Sequence, residues 1–200
     1  MSATLGLPVT LCNDARAFAI AEWKLGAAHG HDNVVAVTLG TGLGCGIVVD
    51  GRLIRGPGEL GHVKVNDSGT PCGCGATGCL ETVASASGMV RQAREAIARG
   101  ESTSLVTLRD ELTAKAAVAA GIVAIAGDSL GAALAALVTS LGTEIVVIGG
   151  GLSSALDILT PVIEAPIRER AAIIGDCRVV ASSLGLHAGA IGAALWKENT

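Results

Sequence analysis

The sequence predicts an α/β layered domain. Three observations carry that expectation. Short β-branched runs such as Val34–Leu39 alternate with longer helical stretches. Asp50-Gly51 sits between two strand-like segments and reads as a two-residue hairpin turn. Glu144–Ile148 runs directly into Gly149-Gly150-Gly151 and then into a helical stretch. In α/β sheets, ligands bind where strands end in that way.

The elements follow in order. Leu7–Leu11 reads as the first strand, ended by Asn13-Asp14. A helix is expected over Ala15–Ala28, with Asp14 as its N-cap. After a polar loop comes Val34–Leu39, and Gly40–Gly46 turns the chain back. Ile47–Val49 and Arg52–Ile54 are the arms of the Asp50-Gly51 hairpin. Residues 55–80 are loop-like, with two prolines and seven glycines. Helix is expected at Leu80–Ala98 and again across Leu105–Leu141, as two or three helices. Glu144–Ile148 is a buried-type strand, followed by a helix at Ala155–Ile173. Arg178–Ala181 is the last strand and Ala188–Lys197 the last helix. No repeat, low-complexity tail or linker divides the 200 residues.

Composition excludes several classes. Hydrophobic residues are 50% of the chain and charged residues 16%, which is not the profile of a disordered chain. Aromatics are 2%, too few for a surface that stacks nucleic-acid bases. A net charge of −4 offers no basic face for nucleic acid. A mean hydropathy of +0.57 raises the question of membranes. The longest apolar stretches, Ala116–Gly127 and Ser129–Gly142, are separated by Asp128. Each is shorter than the roughly 20 residues of a span, so no membrane partner is expected. The first residues lack a basic region followed by an apolar run, so no signal peptide is expected. The expectation is a cytoplasmic protein whose six cysteines are reduced thiols or metal ligands.

His62, Cys72, Cys74 and Cys79 supply three thiolates and one imidazole within eighteen positions. That set suffices for a closed, structural, tetrahedral zinc site. The stretch is rich in glycine and poor in apolar residues, so it has little core in which free cysteines would be buried. Cys12, Cys45 and Cys177 are isolated and read as small packing residues. His29, His31 and His187 show no partner in the sequence and receive no role.

Two glycine-rich corners are candidate ligand contacts. Gly40-Thr41-Gly42-Leu43-Gly44 lies between two strands, where free N–H groups and the Thr41 hydroxyl suit phosphate oxygens. A tight hairpin corner explains it equally. Gly149-Gly150-Gly151 allows a flat base or sugar to lie against the backbone, and a plain turn is again an equal explanation. Asp14 is either a helix cap or a general base acting on a substrate hydroxyl, in the charged state that a helix N-terminus favours. Glu59 and Glu81 flank the cysteine cluster; they are solvated acids or acceptors for sugar hydroxyls.

Together these residues resemble the ROK family of bacterial sugar kinases and sugar-responsive repressors. The motifs are Asn13-Asp14-Ala15; Leu39-Gly40-Thr41-Gly42-Leu43-Gly44; and Gly56-Pro57-Gly58-Glu59-Leu60-Gly61-His62. Cys72-Gly73-Cys74-Gly75 with Gly78-Cys79-Leu80-Glu81 comes next, then Ile148-Gly149-Gly150-Gly151 and Ala188-Gly189-Ala190-Ile191-Gly192-Ala193-Ala194. The resemblance implies the actin-like, RNase H-like kinase fold, here its C-terminal region over 1–200 with a zinc loop at 59–81. It implies transfer of the ATP γ-phosphate to the 6-hydroxyl of a hexose, with Mg²⁺ offsetting charge. Asp14 would be the catalytic base, and Asn13, Asp14, Glu59, His62 and Glu81 would bind the sugar. Gly40, Thr41, Gly42 and Gly44 would face the phosphates, and Gly149, Gly150 and Gly151 the adenosine. A homo-oligomer is the family's common state.

The resemblance also implies an N-terminal domain carrying an Asp-x-Gly-x-Thr phosphate loop, a motif that these residues do not show; Asp67-Ser68-Gly69-Thr70 leads into Pro71 instead. The 200 residues alone are therefore expected to have little kinase activity. The other functions weighed are the sugar-sensing part of a repressor and an inert zinc-stabilised fragment.

Overall fold

A computed structural model describes residues 1–56, 58–100 and 117–196. Its centre is β1 (Val34–Leu39), buried on both faces because its residues are almost all apolar. β2 (Leu43–Val49) returns antiparallel, with Val37 opposite Cys45, and β3 (Arg52–Leu53) pairs with it at the sheet edge. Asp50 and Gly51 both adopt positive φ, 49° and 66°, as a tight Asp-Gly hairpin requires. β4 (Ile145–Gly149) lies parallel to β1, and β5 (Arg178–Ala181) parallel to β4. The order is β3-β2-β1-β4-β5, a mixed sheet of an α/β fold.

The two-residue alternation of the strands divides the core. Val35, Val37 and Leu39 face one cluster, while Val34 and Ala36 face another. On the first face lie α4 (Ala86–Ala98), α5 (Ala117–Leu141) and α6 (Leu156–Arg170). On the second lie α2 (Asp14–Leu25) and α7 (Ala188–Leu195). Two short helices, α1 (Ser2–Leu5) and α3 (Glu81–Ala84), are also present among the described residues.

Several expectations need correction. Leu7–Leu11 forms no strand: Leu7 and Leu11 are 64% and 82% exposed, and the segment pairs with neither sheet edge. An apolar run becomes a strand only where a neighbouring strand takes its N–H and C=O groups. The cap of α2 is Asn13, not Asp14. Asn13 has extended backbone angles and its Oδ1 accepts the Arg16 N–H at 3.0 Å, so Asp14 is the first helical residue. The helix expected at Leu80–Ala98 is broken at Ser85, which is extended and caps α4 through its Oγ on the Gly88 N–H at 3.1 Å.

α5 is one helix of 25 residues, long and apolar enough by length and composition to cross a membrane. Asp128 does not interrupt it, because its carboxylate is exposed and bonds Arg170 at 3.2 Å. The two short stretches expected from the sequence are therefore a single segment. Its stripe Ile122, Ala126, Leu130, Leu134 and Val138 is buried in the first core cluster, which contains residues of α6. Positions 101–116 of the Leu105–Leu141 expectation, and Lys197, lie outside the described residues.

Candidate functional site

β1 and β4 run in parallel, so their ends, Leu39-Gly40 and Gly149-Gly150, fall side by side. The N–H of Leu152 donates to the Leu39 carbonyl at 3.0 Å, and the two glycine corners are thereby joined. Beside them α2 begins, which puts Asn13 and Asp14 at the same sheet edge. A cleft of about 420 Å³ opens there. Its lining includes Asn13, Asp14, Gly40, Thr41, Gly42, Gly44, Glu59, His62, Glu81 and Gly150. Residues up to 137 positions apart in sequence thus converge on one space, three of them carboxylates.

Each acid arrives differently. Asp14 Oδ1 accepts the Ala15 N–H at 2.8 Å and the group is otherwise exposed. Glu81 opens α3, and its Oε2 accepts the Leu43 N–H at 2.9 Å. Gly42 leaves room for that carboxylate, because a Cβ at that position would stand 2.6 Å from the Glu81 Oε2 and push it aside. Glu59 precedes a single turn of 3-10 helix, Leu60–His62, and His62 ends it. Gly61 lets that turn lie against β2, since a Cβ would meet the Leu43 carbonyl oxygen at 2.5 Å. The Arg16 guanidinium donates to the Gly56 carbonyl, which ties the start of this loop to α2. Most acceptor positions on Asp14, Glu59 and Glu81 remain available to a ligand.

His62 faces two ways. Its Nε2 is 3.8 Å from the Glu59 Oε2, on the cleft side. Its Nδ1 is 3.6 Å from the Cys72 Sγ, and the Cys74 and Cys79 sulfurs are also 3.6 Å apart. The four ligand atoms all lie within 4.8 Å of one another. Tetrahedral zinc with Zn–S of about 2.3 Å and Zn–N of about 2.0–2.1 Å needs S–S edges of roughly 3.8 Å and N–S edges of about 3.6 Å. The donor set and its spacing fit such an ion. Backbone bridges between Lys64 and Cys79 and between Pro71 and Thr77 hold the loop in this shape. Burial pushes the Cys79 thiol up to about 12, whereas the backbone at Ala76 draws the Cys74 thiol below its usual range.

Gly149 and Gly151 are not among the residues that line the cleft. Gly149 is covered by Phe18, whose ring would be 2.6 Å from a Cβ there. Gly151 lies against Gly40, at the rim. Thr38 and Leu43 line the cleft although the sequence did not single them out as ligand contacts. The alternation Val34-Ala36-Thr38 places Thr38 on the α2 face; Leu43 lines the cleft as the residue whose N–H holds Glu81, a contact across 38 positions that no local pattern reveals. Cys45 and Cys177 suit packing. Burial, with Glu59 nearby, raises Cys45 to about 12, and burial, with Glu164 nearby, raises Cys177 to about 11. His31 has partners after all, at the opposite end of the sheet. Its Nδ1 lies 2.8 Å from the Glu144 Oε2 and its Nε2 3.0 Å from an Arg178 nitrogen.

The family model described as ROK family matches residues 1–200. The chain belongs to the ROK family. It is 41% identical over 207 residues to a glucokinase of Halalkalibacterium halodurans, covering 93% of this chain and 62% of that protein. It is 33% identical over 182 residues to the DNA-binding transcriptional repressor Mlc of Escherichia coli, covering 83% of this chain and 44% of the repressor. Among solved structures it resembles a ROK family glucokinase from Streptomyces griseus in complex with glucose and AMPPNP. There the TM-score is 0.84 at 34% identity, over 96% of this chain and 69% of that one. The chain thus spans less than two thirds of the Halalkalibacterium relative, and less than half of the repressor.

Proposed function

We propose that this ROK chain supplies the sugar-binding and catalytic face of an ATP-dependent hexose kinase of the cytoplasm. One observation carries the proposal: Asp14, Glu59, His62 and Glu81 share a cleft with the Gly40-Thr41-Gly42 corner. Carboxylates with free acceptor positions suit sugar hydroxyls, and a glycine corner with a hydroxyl suits phosphate. Likeness to the Halalkalibacterium and Streptomyces glucokinases supports the same reading.

Asn13, Glu59, His62 and Glu81 hold the hexose so that its 6-hydroxyl meets Asp14. The Asp14 carboxylate orients that hydroxyl and accepts its proton as the oxygen attacks the γ-phosphate in line. Thr41 and the N–H of Gly42 steady the phosphate oxygens, and Gly150 and Gly151 leave room for the adenosine. Mg²⁺ that arrives with ATP offsets phosphate charge. His62, Cys72, Cys74 and Cys79 would hold zinc in a structural role, which would keep the loop closed and His62 aimed. Positioning supplies most of the rate.

The test is ATP-dependent phosphorylation of a hexose panel, with Asp14→Asn as control. Turnover that Asp14→Asn preserves removes Asp14 as base. Hexose binding without turnover, in a protein that includes the region the longer kinase relatives add, favours the second reading. That reading is a sugar sensor of the repressor type, and the likeness to Mlc supports it. No hexose-dependent rise in thermal stability leaves only an inert scaffold.

A further inference from the structure

The cleft does not end at Thr41. Two further hollows open from that residue, one of about 190 Å³ toward the cysteine loop and one of about 380 Å³ along α4. Thr41 is on the rim of all three spaces. The hollow along α4 is lined by Ala86, Ser87, Val90, Arg91 and Arg94 besides Thr41. The groove therefore changes sign along its length. It holds three carboxylates at the Asp14 end and two guanidiniums, without a carboxylate in the lining, at the α4 end.

The two arginines differ. Arg91 is committed to the fold: it bonds the Glu95 carboxylate at 2.6 Å and the Thr82 carbonyl at 3.0 Å. Arg94 is exposed and makes no hydrogen bond or ion pair among the described residues. The hydroxyls of Thr41 and Ser87 likewise bond no described residue. The Ala86 N–H already donates to the Gly40 carbonyl at 2.9 Å, and the Gly88 N–H to the Ser85 Oγ at 3.1 Å. Side chains, rather than the helix end, are left to recognise a ligand here. A row of hydroxyl, hydroxyl and guanidinium leading away from a phosphate corner matches a chain of phosphates.

We propose that Thr41, Ser87 and Arg94 form a track for the non-transferred phosphates of the phosphoryl donor, with Arg94 setting its affinity. This rests on the kinase reading. It adds that the donor is recognised as an extended polyanion, beyond the phosphate that reacts at Asp14. The attraction also offsets the repulsion that the acidic end imposes on an anionic donor.

Equilibrium titrations of the unmodified protein, Arg94→Ala and Arg94→Lys test it, with MgATP, Mg-tripolyphosphate and adenosine as probes. The expected result is a loss of about tenfold in ATP and tripolyphosphate affinity for Arg94→Ala. Arg94→Lys should recover part of it, and adenosine binding should stay unchanged. Hexose affinity should be equal in all three proteins. Equal ATP and tripolyphosphate affinities in all three proteins overturn the proposal, as does a protein that binds neither polyanion. An equal loss for adenosine also overturns it, since the wall would then contact the nucleoside. Because these are binding measurements, their failure is separate from a failure of hexose turnover, which tests the kinase reading itself.

Discussion

Two groups of acids on the same helix and its neighbours have opposite surroundings. Glu22, two turns into α2 from Asp14, is fully buried. Its oxygens accept from the Ala27 N–H at 2.9 Å, the Ser182 hydroxyl at 2.5 Å, the Leu184 N–H at 3.1 Å and, more loosely, Ser183. Every lone pair is occupied, so the carboxylate pins the segment after β5 onto α2 and has nothing left for a ligand. Asp14, Glu59 and Glu81 sit in a 420 Å³ cleft with one or no N–H partner each. A buried acid with saturated partners is architecture, and a cleft acid with open acceptor positions is chemistry. The difference teaches that partner count, more than residue type, separates the two.

Changing Asp14 to Asn is the strongest test of that contrast. In a protein that includes the region the longer kinase relatives add, it should lower kcat by about 10²–10⁴-fold, since the amide cannot accept the proton. The melting temperature should hold, because the Ala15 N–H only exchanges a charged acceptor for the neutral amide oxygen. A melting drop equal to that of a Glu22 variant would erase the distinction. Glu22→Ala should do the reverse. Leaving buried donors without an acceptor costs about 3 kcal/mol or more. For a domain of this size that is about 6–12 °C in calorimetry.

Chelation sharpens the comparison at the loop. Protein purified without chelator should carry about one zinc per chain by elemental analysis. Stripping it, or Cys72→Ser, should lower the melting temperature and weaken hexose binding about tenfold, through His62. A stripped protein with unaltered hexose affinity would separate the metal from the cleft. Gly42→Ala is gentler. The new methyl displaces Glu81 from the Leu43 N–H, and the hexose KM should rise several-fold with little change in kcat.

The smallest effect is alkaline. The Cys45 thiol is raised from an ordinary value of 9.0 to about 12 by burial and then by Glu59. The folded chain therefore keeps a proton that the unfolded chain releases between those values. The stabilising contribution is whole below about pH 9 and is lost as pH climbs toward 12. Cys45→Ala should flatten that part of the stability profile, as followed by denaturant titration.

Local signals were legible in the sequence. The Asp50-Gly51 turn, the β1 run and the strand ending in Gly149 all depend on neighbours close in sequence. The His62, Cys72, Cys74 and Cys79 set was legible because all four sit within one loop. Leu7–Leu11 misled, since nothing in five apolar-rich residues shows whether a partner strand exists. The apolar run of α5 was read as two stretches because Asp128 looks like a boundary, while its ion partner Arg170 lies 42 residues away. Glu22 was unreadable for the same reason: its partners at 182–184 lie 160 or more positions along the chain.

The orientation of His62 bears on what a zinc-loaded loop would present to the cleft. With a metal on Nδ1, beside the thiolates, the ring proton would sit on Nε2. The ring would then be held in one tautomer. Seen from the cleft, it would be a donor standing 3.8 Å from an acceptor on Glu59. A hydroxyl is the small group that both gives and takes a hydrogen bond, and under the kinase reading this pair would meet both of its halves at once. An ether oxygen or a methoxy group at the same point satisfies only one half and leaves the carboxylate without its proton.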